Sequence, residues 1–199
     1  MSDEAVIAVV VGAVLLVAAA VAITLIALAQ RRRRHLREQF GPEYARTVEG
    51  ASDRREAEQE LAAREKRHAK LELRDLPPDV RARYAEQWAV VQERFVDSPD
   101  DALGEADKLV TIVMIERGYP TEDYEQRLAD LSVEHARTLD HYRAASAVND
   151  RRPGVSTEDL RQAMVHYRAL FEDLLGTTRT TEPDRSVDAG QPENRRRKA

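Results

Sequence analysis

From Ala5 to Ala29 the chain carries no charged side chain, and only Gly12 and Thr24 interrupt a run of Ala, Val, Ile and Leu. As a helix this run is about 37 Å long, against a bilayer hydrocarbon core of about 30 Å, so the pattern predicts a transmembrane helix over residues 5–29. The stretch TLIALAQRRRRHLREQF then brings in Arg31, Arg32, Arg33, Arg34 and Arg37. An arginine at mid-membrane costs about 2.5 to 3.5 kcal/mol, which places these side chains at the headgroups or beyond. The helix is expected to run on to Phe40 and break at FGPEY, because Gly41 is conformationally loose and Pro42 lacks the backbone donor of a continuing helix.

Polar positions dominate next. A short helix carrying Tyr44 and Val48 should end near Gly50, completing a basic juxtamembrane segment over 30–50. Phe40 and Tyr44 have two places open to them, the membrane interface or packing on the following helix. Asp53 with Glu56 three residues on is a helix start signal, and DRREAEQELAAREKRHAKLELR follows with no Gly or Pro. The heptad seam through Ala57, Leu61, Arg64, His68 and Leu71 is broken by charge, which argues against a coiled coil. A solvated stalk helix of roughly 33 Å over 51–76 is expected instead.

After LPP the apolar spacing becomes that of a bundle, over 77–175. Val80, Tyr84, Trp88, Val91 and Phe95 recur at three and four residues and mark one helical face. Ser98, Pro99 and Asp101 read as a capping corner. Leu103, Ala106, Val110, Val113 and Met114 continue the core as far as Gly118 and Pro120. Thr121 is expected to cap a short helix with Tyr124, Leu128 and Leu131, and Ser132 another with Ala136, Leu139 and Tyr142. Ser156 with Asp159 opens the last helix, whose stripe of Leu160, Met164, Tyr167, Phe171 and Leu174 is the cleanest in the chain. Residues 176–199 hold one valine and no other large apolar side chain, so a disordered tail is expected there. The fold class that follows is all-α: one N-terminal transmembrane helix, a polar stalk, and a small antiparallel bundle.

Charge orients this picture. Glu38 to Gly176 hold 20 bases against 30 acids, whereas the collar at Arg31 to Arg37 is wholly basic. Arginines beside an apolar helix retain that flank in the cytoplasm, so residues 1–4 are expected outside the cell and the bundle inside. The collar should bind anionic headgroups, which the acidic body is pushed away from. That same acidic field argues against nucleic acid as partner. Cleaved export remains an alternative, because Ala27, Leu28 and Ala29 resemble a small-x-small cleavage site. Against it, the chain opens MSDEA where a leader has a basic start, and the apolar run exceeds the 7 to 15 residues or so of a leader. No cysteine is present, which excludes disulfides, thiolate metal sites and cysteine nucleophiles.

The segments FGPEYARTVE, DRREAEQELAAREKR and STEDLRQAMVHYRALFEDLL resemble those of a family of uncharacterised single-pass membrane proteins from GC-rich bacteria. The resemblance implies a small helical bundle at a membrane; it brings no activity and no catalytic residues.

Candidate chemistry changes little. His35, His68, His135, His141 and His166 have no spacing that builds a zinc site, since His135 and His141 fall on different helical faces. Asp97, Asp100 and Asp101 fail as a calcium loop, with Ala102 and Lys108 where Gly and Glu are required. Tyr84, Trp88 and Phe95 read as core, and RRRK at Arg195 to Lys198 as a solvated end. No catalytic residue, metal site or cofactor is expected. What remains is a membrane-anchored cytoplasmic module acting by protein–protein interaction, its partners being the bilayer and another protein. A secreted helical protein, or a bundle with a ligand pocket or an enzymatic site, stays as the alternative.

Overall fold

The computed structural model describes residues 3–176. Among them all regular structure is helical, as the apolar spacing implies: α1 (Asp3–Phe40), α2 (Pro42–Gly50), α3 (Arg54–His68), α4 (Pro78–Asp97), α5 (Pro99–Arg117), α6 (Tyr124–Glu134), α7 (Leu139–Asp150) and α8 (Thr157–Leu174). The expected tail, including Arg195 to Lys198, lies outside the described residues apart from Gly176.

α1 is one unbroken helix of 38 residues, about 57 Å long. It stops where Gly41 takes φ 46°, a left-handed value that costs a side-chain-bearing residue energy, and Pro42 opens α2. At α3 the Asp53 carboxylate accepts a hydrogen bond from the Glu56 amide at 2.8 Å. Glu56 in turn accepts from the Ser52 amide at 3.1 Å, one residue earlier than the usual reciprocal cap.

α3 differs from the expected stalk in two ways. It ends at His68, and residues 69–77 continue without helix. Leu71 and Leu73 there alternate with exposed Glu72 and Arg74 and pack, with Leu76, on the bundle core. The Arg74 amide bonds the Arg117 carbonyl at 3.0 Å. Nor does α3 stand free in solvent. Ala57 and Leu61 are fully buried and the helix packs against α1, α2 and α6. Burying these two apolar groups and anchoring three leucines outweighs the helix preference of the polar stretch.

The main core lies between α4, α5, α7 and α8, with α6 at its side. α8 supplies Leu160, Met164, Tyr167, Phe171 and Leu174 as its spacing implies, and Ser156 caps it by accepting from the Asp159 amide at 3.1 Å. Trp88 on α4 stacks on Phe171 with ring centroids 4.7 Å apart. Val80, Tyr84 and Phe95 pack at the margin of this core. Gly118 closes α5 in the left-handed conformation, φ 94°.

Three local expectations are corrected. Ser98 makes no side-chain cap for α5; Pro99 at its first position, with Asp100 and Asp101 against the helix dipole, starts it instead. Asp123, not Thr121, caps α6, accepting from the Gln126 amide at 2.6 Å. Ser132 caps nothing. It is fully buried inside α6, its hydroxyl donating to the Ala129 carbonyl at 2.6 Å, a bond to the preceding turn that lets a serine sit within a helix.

Candidate functional site

Two features distinguish the surface of this protein, the junction between α1 and the bundle and a groove between α4 and α5.

The junction forms around a second, smaller core of Leu36, Phe40, Tyr44, Leu61 and Val133, drawn from α1, α2, α3 and α6. Of the two places open to Phe40, the structure shows the packed one: it is wholly buried, and Tyr44 lies beside it nearly so. Phe40 is therefore not a membrane-interface side chain. It is one helical turn beyond Leu36, on the face that meets α3 and α6. Polar bonds surround this core. Gln39 donates to the Val133 carbonyl at 2.8 Å, the Tyr44 hydroxyl donates to Glu58 at 2.7 Å, and Arg46 reaches Asp140 at 2.7 Å.

Glu43 is buried there as well, a carboxylate only 4% exposed. Arg143 donates to both of its oxygens at 2.8 Å, and Arg64 adds a contact at 3.3 Å. Burial disfavours the Arg143 charge, but the Glu43 carboxylate and Asp140 more than offset this and raise its pKa above the usual arginine value. The adjoining cleft of about 710 Å³ between α2 and α3 is lined by these same groups. Its cations Arg46, Arg64 and Arg143 are ion-paired with Glu43, Glu60 and Asp140.

Among the collar residues, Arg31, Arg32, Arg34 and Arg37 are exposed. Arg34 pairs with Glu38 at 2.8 Å. Arg33 is half-buried against Glu58 at 3.5 Å, and the Arg37 guanidinium lies 5.2 Å from the Tyr44 ring centroid. Arg33 and Arg37 thus help hold α3 and α2 against α1, while Arg31 and Arg32 are exposed to solvent.

Leu15–Phe40 within α1 is long and apolar enough to cross a membrane, and its most apolar 18-residue window is left uncovered by the other described residues.

The second feature lies on the outer side of the bundle. α4 and α5 pack antiparallel, joined across one end by Arg94 and Glu105. Between them Val91 and Leu109 form the floor of an apolar groove of about 280 Å³, with Val90 and Ile112 as its walls. Val90 is 53% exposed and Ile112 49%. Val96 and Ile115 on the same two helices are exposed as well, leaving only Tyr124 and Val165 as large exposed apolar residues outside α1 and this hairpin, among the described residues. Sequence reasoning assigned the inward stripes of both helices and passed over these four. The available signal was an aliphatic residue off the stripe on each of two adjacent helices.

Among the described residues no group of three or more His, Asp or Glu is placed to hold an ion. His135 is buried, its Nδ1 2.8 Å from Asp173. His68 lies beside the Tyr119 ring, with centroids 6.2 Å apart, and burial lowers its pKa despite the nearby Glu134 and Asp130. His141 and His166 meet across α7 and α8 with their Nδ1 atoms 2.8 Å apart and ring centroids 5.0 Å apart. These two distances require the ring nitrogens to point almost straight at each other, the geometry of one shared N–H···N bond. Burial, then the neighbouring His141, lowers the His166 pKa.

The chain matches no protein-family model, no curated protein and no solved structure.

Proposed function

We propose that the protein is a single-pass membrane protein, N-terminus outside and C-terminus cytoplasmic, that holds a helical module at the inner membrane face for recognition of another protein. The arginine collar supports this orientation, since the flank of a membrane helix richer in Arg is retained inside. Arg31 and Arg32, exposed at the end of the apolar run, are free to meet anionic headgroups.

One observation carries the recognition role. Of the five aliphatic residues left exposed outside α1 among the described residues, four lie on a single hairpin, and two of these, Val90 and Ile112, wall its groove. Clustered apolar exposure on a small domain marks an interaction surface more often than chance. The packing of α1 directly on α3 and α6 supports a module seated on its anchor helix with no free stalk between them among the described residues.

A photo-crosslinking residue placed at Ile112 tests the role in cells, with the equally exposed Val165 on α8 as control. A discrete protein adduct is expected from position 112 and not from 165. Identical patterns from both positions would remove the groove as a recognition face.

A further inference from the structure

We infer that the occupant of the α4–α5 groove is an amphipathic helix of a partner protein whose aliphatic ridge is flanked by arginine or lysine on the side that overlies α4. This rests on the reading of the groove as a recognition face and adds the chemistry of what it takes. Residues three and four apart share a helical face, so the neighbours of Val90 on its outer flank are Glu86 and Glu93, both exposed. Arg94, the nearest cation on that helix, is bound to Glu105 across the hairpin. Arg83 lies one turn beyond Glu86, next to Tyr84 and outside the residues that line the groove. The α4 wall is thus acidic on either side of its valine.

Across the groove Ile112 has Lys108 on one side and Glu116 on the other, both exposed, a mixed wall with little preference. An open apolar strip of this kind accepts the i, i+3, i+4 ridge of a helix, and the charge at its rim selects which helix. The surrounding field has the same sign, with 20 bases against 30 acids from Glu38 to Gly176. A cationic helix is steered toward such a surface, whereas a second copy of this acidic body is repelled.

The test uses the full chain in an uncharged detergent and two fluorescent peptides of about 18 residues with the same Leu/Ile ridge, one flanked by Arg and the other by Glu. Titrations are run against the unmodified chain, against Val90→Gln with Ile112→Gln, and against Glu86→Gln with Glu93→Gln; circular dichroism checks that each variant folds. The Arg-flanked peptide should bind about tenfold tighter than the Glu-flanked one. That preference should shrink in the Glu86→Gln/Glu93→Gln chain and as salt rises from about 50 to about 300 mM, while Val90→Gln with Ile112→Gln should weaken both peptides. Equal affinity for the two peptides overturns the charge selection and leaves the groove reading standing. Binding of neither, or binding indifferent to Val90 and Ile112, overturns the groove reading itself. Dimers of the chain that Val90→Gln/Ile112→Gln dissolves identify a second copy as the occupant, and the inference is then wrong.

Discussion

Arg143 on α7 grips Glu43 on α2 with two parallel hydrogen bonds of 2.8 Å each, although the two residues are 100 positions apart in the chain. This fork joins the α1–α3 unit to the bundle. The carboxylate sits in the first turn of α2, where the helix dipole also favours negative charge. Removing one member of a buried pair strands the other. Glu43→Ala should therefore cost about 2 to 3 kcal/mol, below the roughly 3 to 5 kcal/mol of a fully buried pair because Arg143 keeps some solvent. Arg143→Lys should cost nearly as much, since an ammonium cannot reproduce the fork. Urea unfolding of the two single variants and the double one checks this; strictly additive losses would mean that the pair is not coupled.

Phe40 locks α1 to α3 and α6, with none of its surface exposed. Phe40→Ala should destabilise that small core by about 3 kcal/mol while sparing the main one. Hydrogen exchange should quicken in α2 and α3 and stay slow in α5 and α8. Uniform loss of protection across all helices is the contrary result.

Gly118 does more than end α5. A Cβ there would lie 2.7 Å from the Glu72 carbonyl oxygen, and φ is 94°. Gly118→Ala should thus strain the backbone and lift the 69–77 segment from the bundle, at a cost above about 1 kcal/mol. Thermal unfolding, together with proteolysis at Arg74, reads both effects. An Ala variant as stable and as protected as the parent would show that the close approach is unimportant.

Stability should fall as pH drops below the ordinary histidine value of 6.5. The pKa values of His68 and His166 are both lowered, chiefly by burial, so between the lowered values and 6.5 the unfolded chain binds more protons than the folded one. That difference makes stability rise with pH in this window, complete above 6.5 and lost on acidification. Urea midpoints measured from pH 7.5 to 5.5 should decline, and decline less in His68→Gln with His166→Gln. An unchanged slope in that variant would assign the acid sensitivity to other groups.

Much of the helical order was legible locally. The stripe Leu160 to Leu174, the Ser156 and Asp53 caps and the stop at Gly118 are all set by neighbours within a few residues. What escaped depends on distant partners. Leu71, Leu73 and Leu76 sit in a stretch whose composition favours helix, and only the bundle surface they reach turns it into an extended strap. Ser132 looks like a cap by type but lies inside a helix because Leu128, Leu131 and Val133 around it are buried together. Glu43 is one of many exposed-looking glutamates until Arg143 is folded against it. The groove at Val90 and Ile112 escaped for a related reason, since an aliphatic residue off the stripe means little until a second one is packed alongside.

The most direct test is which side of the membrane the module occupies. With no native cysteine in the chain, a single Val96→Cys, at a side chain 84% exposed, can be labelled with a membrane-impermeant maleimide free of background. The account predicts a membrane-bound chain that labels only after the cells are permeabilised. Labelling of intact cells, or a soluble mature chain beginning near Gln30, would contradict it.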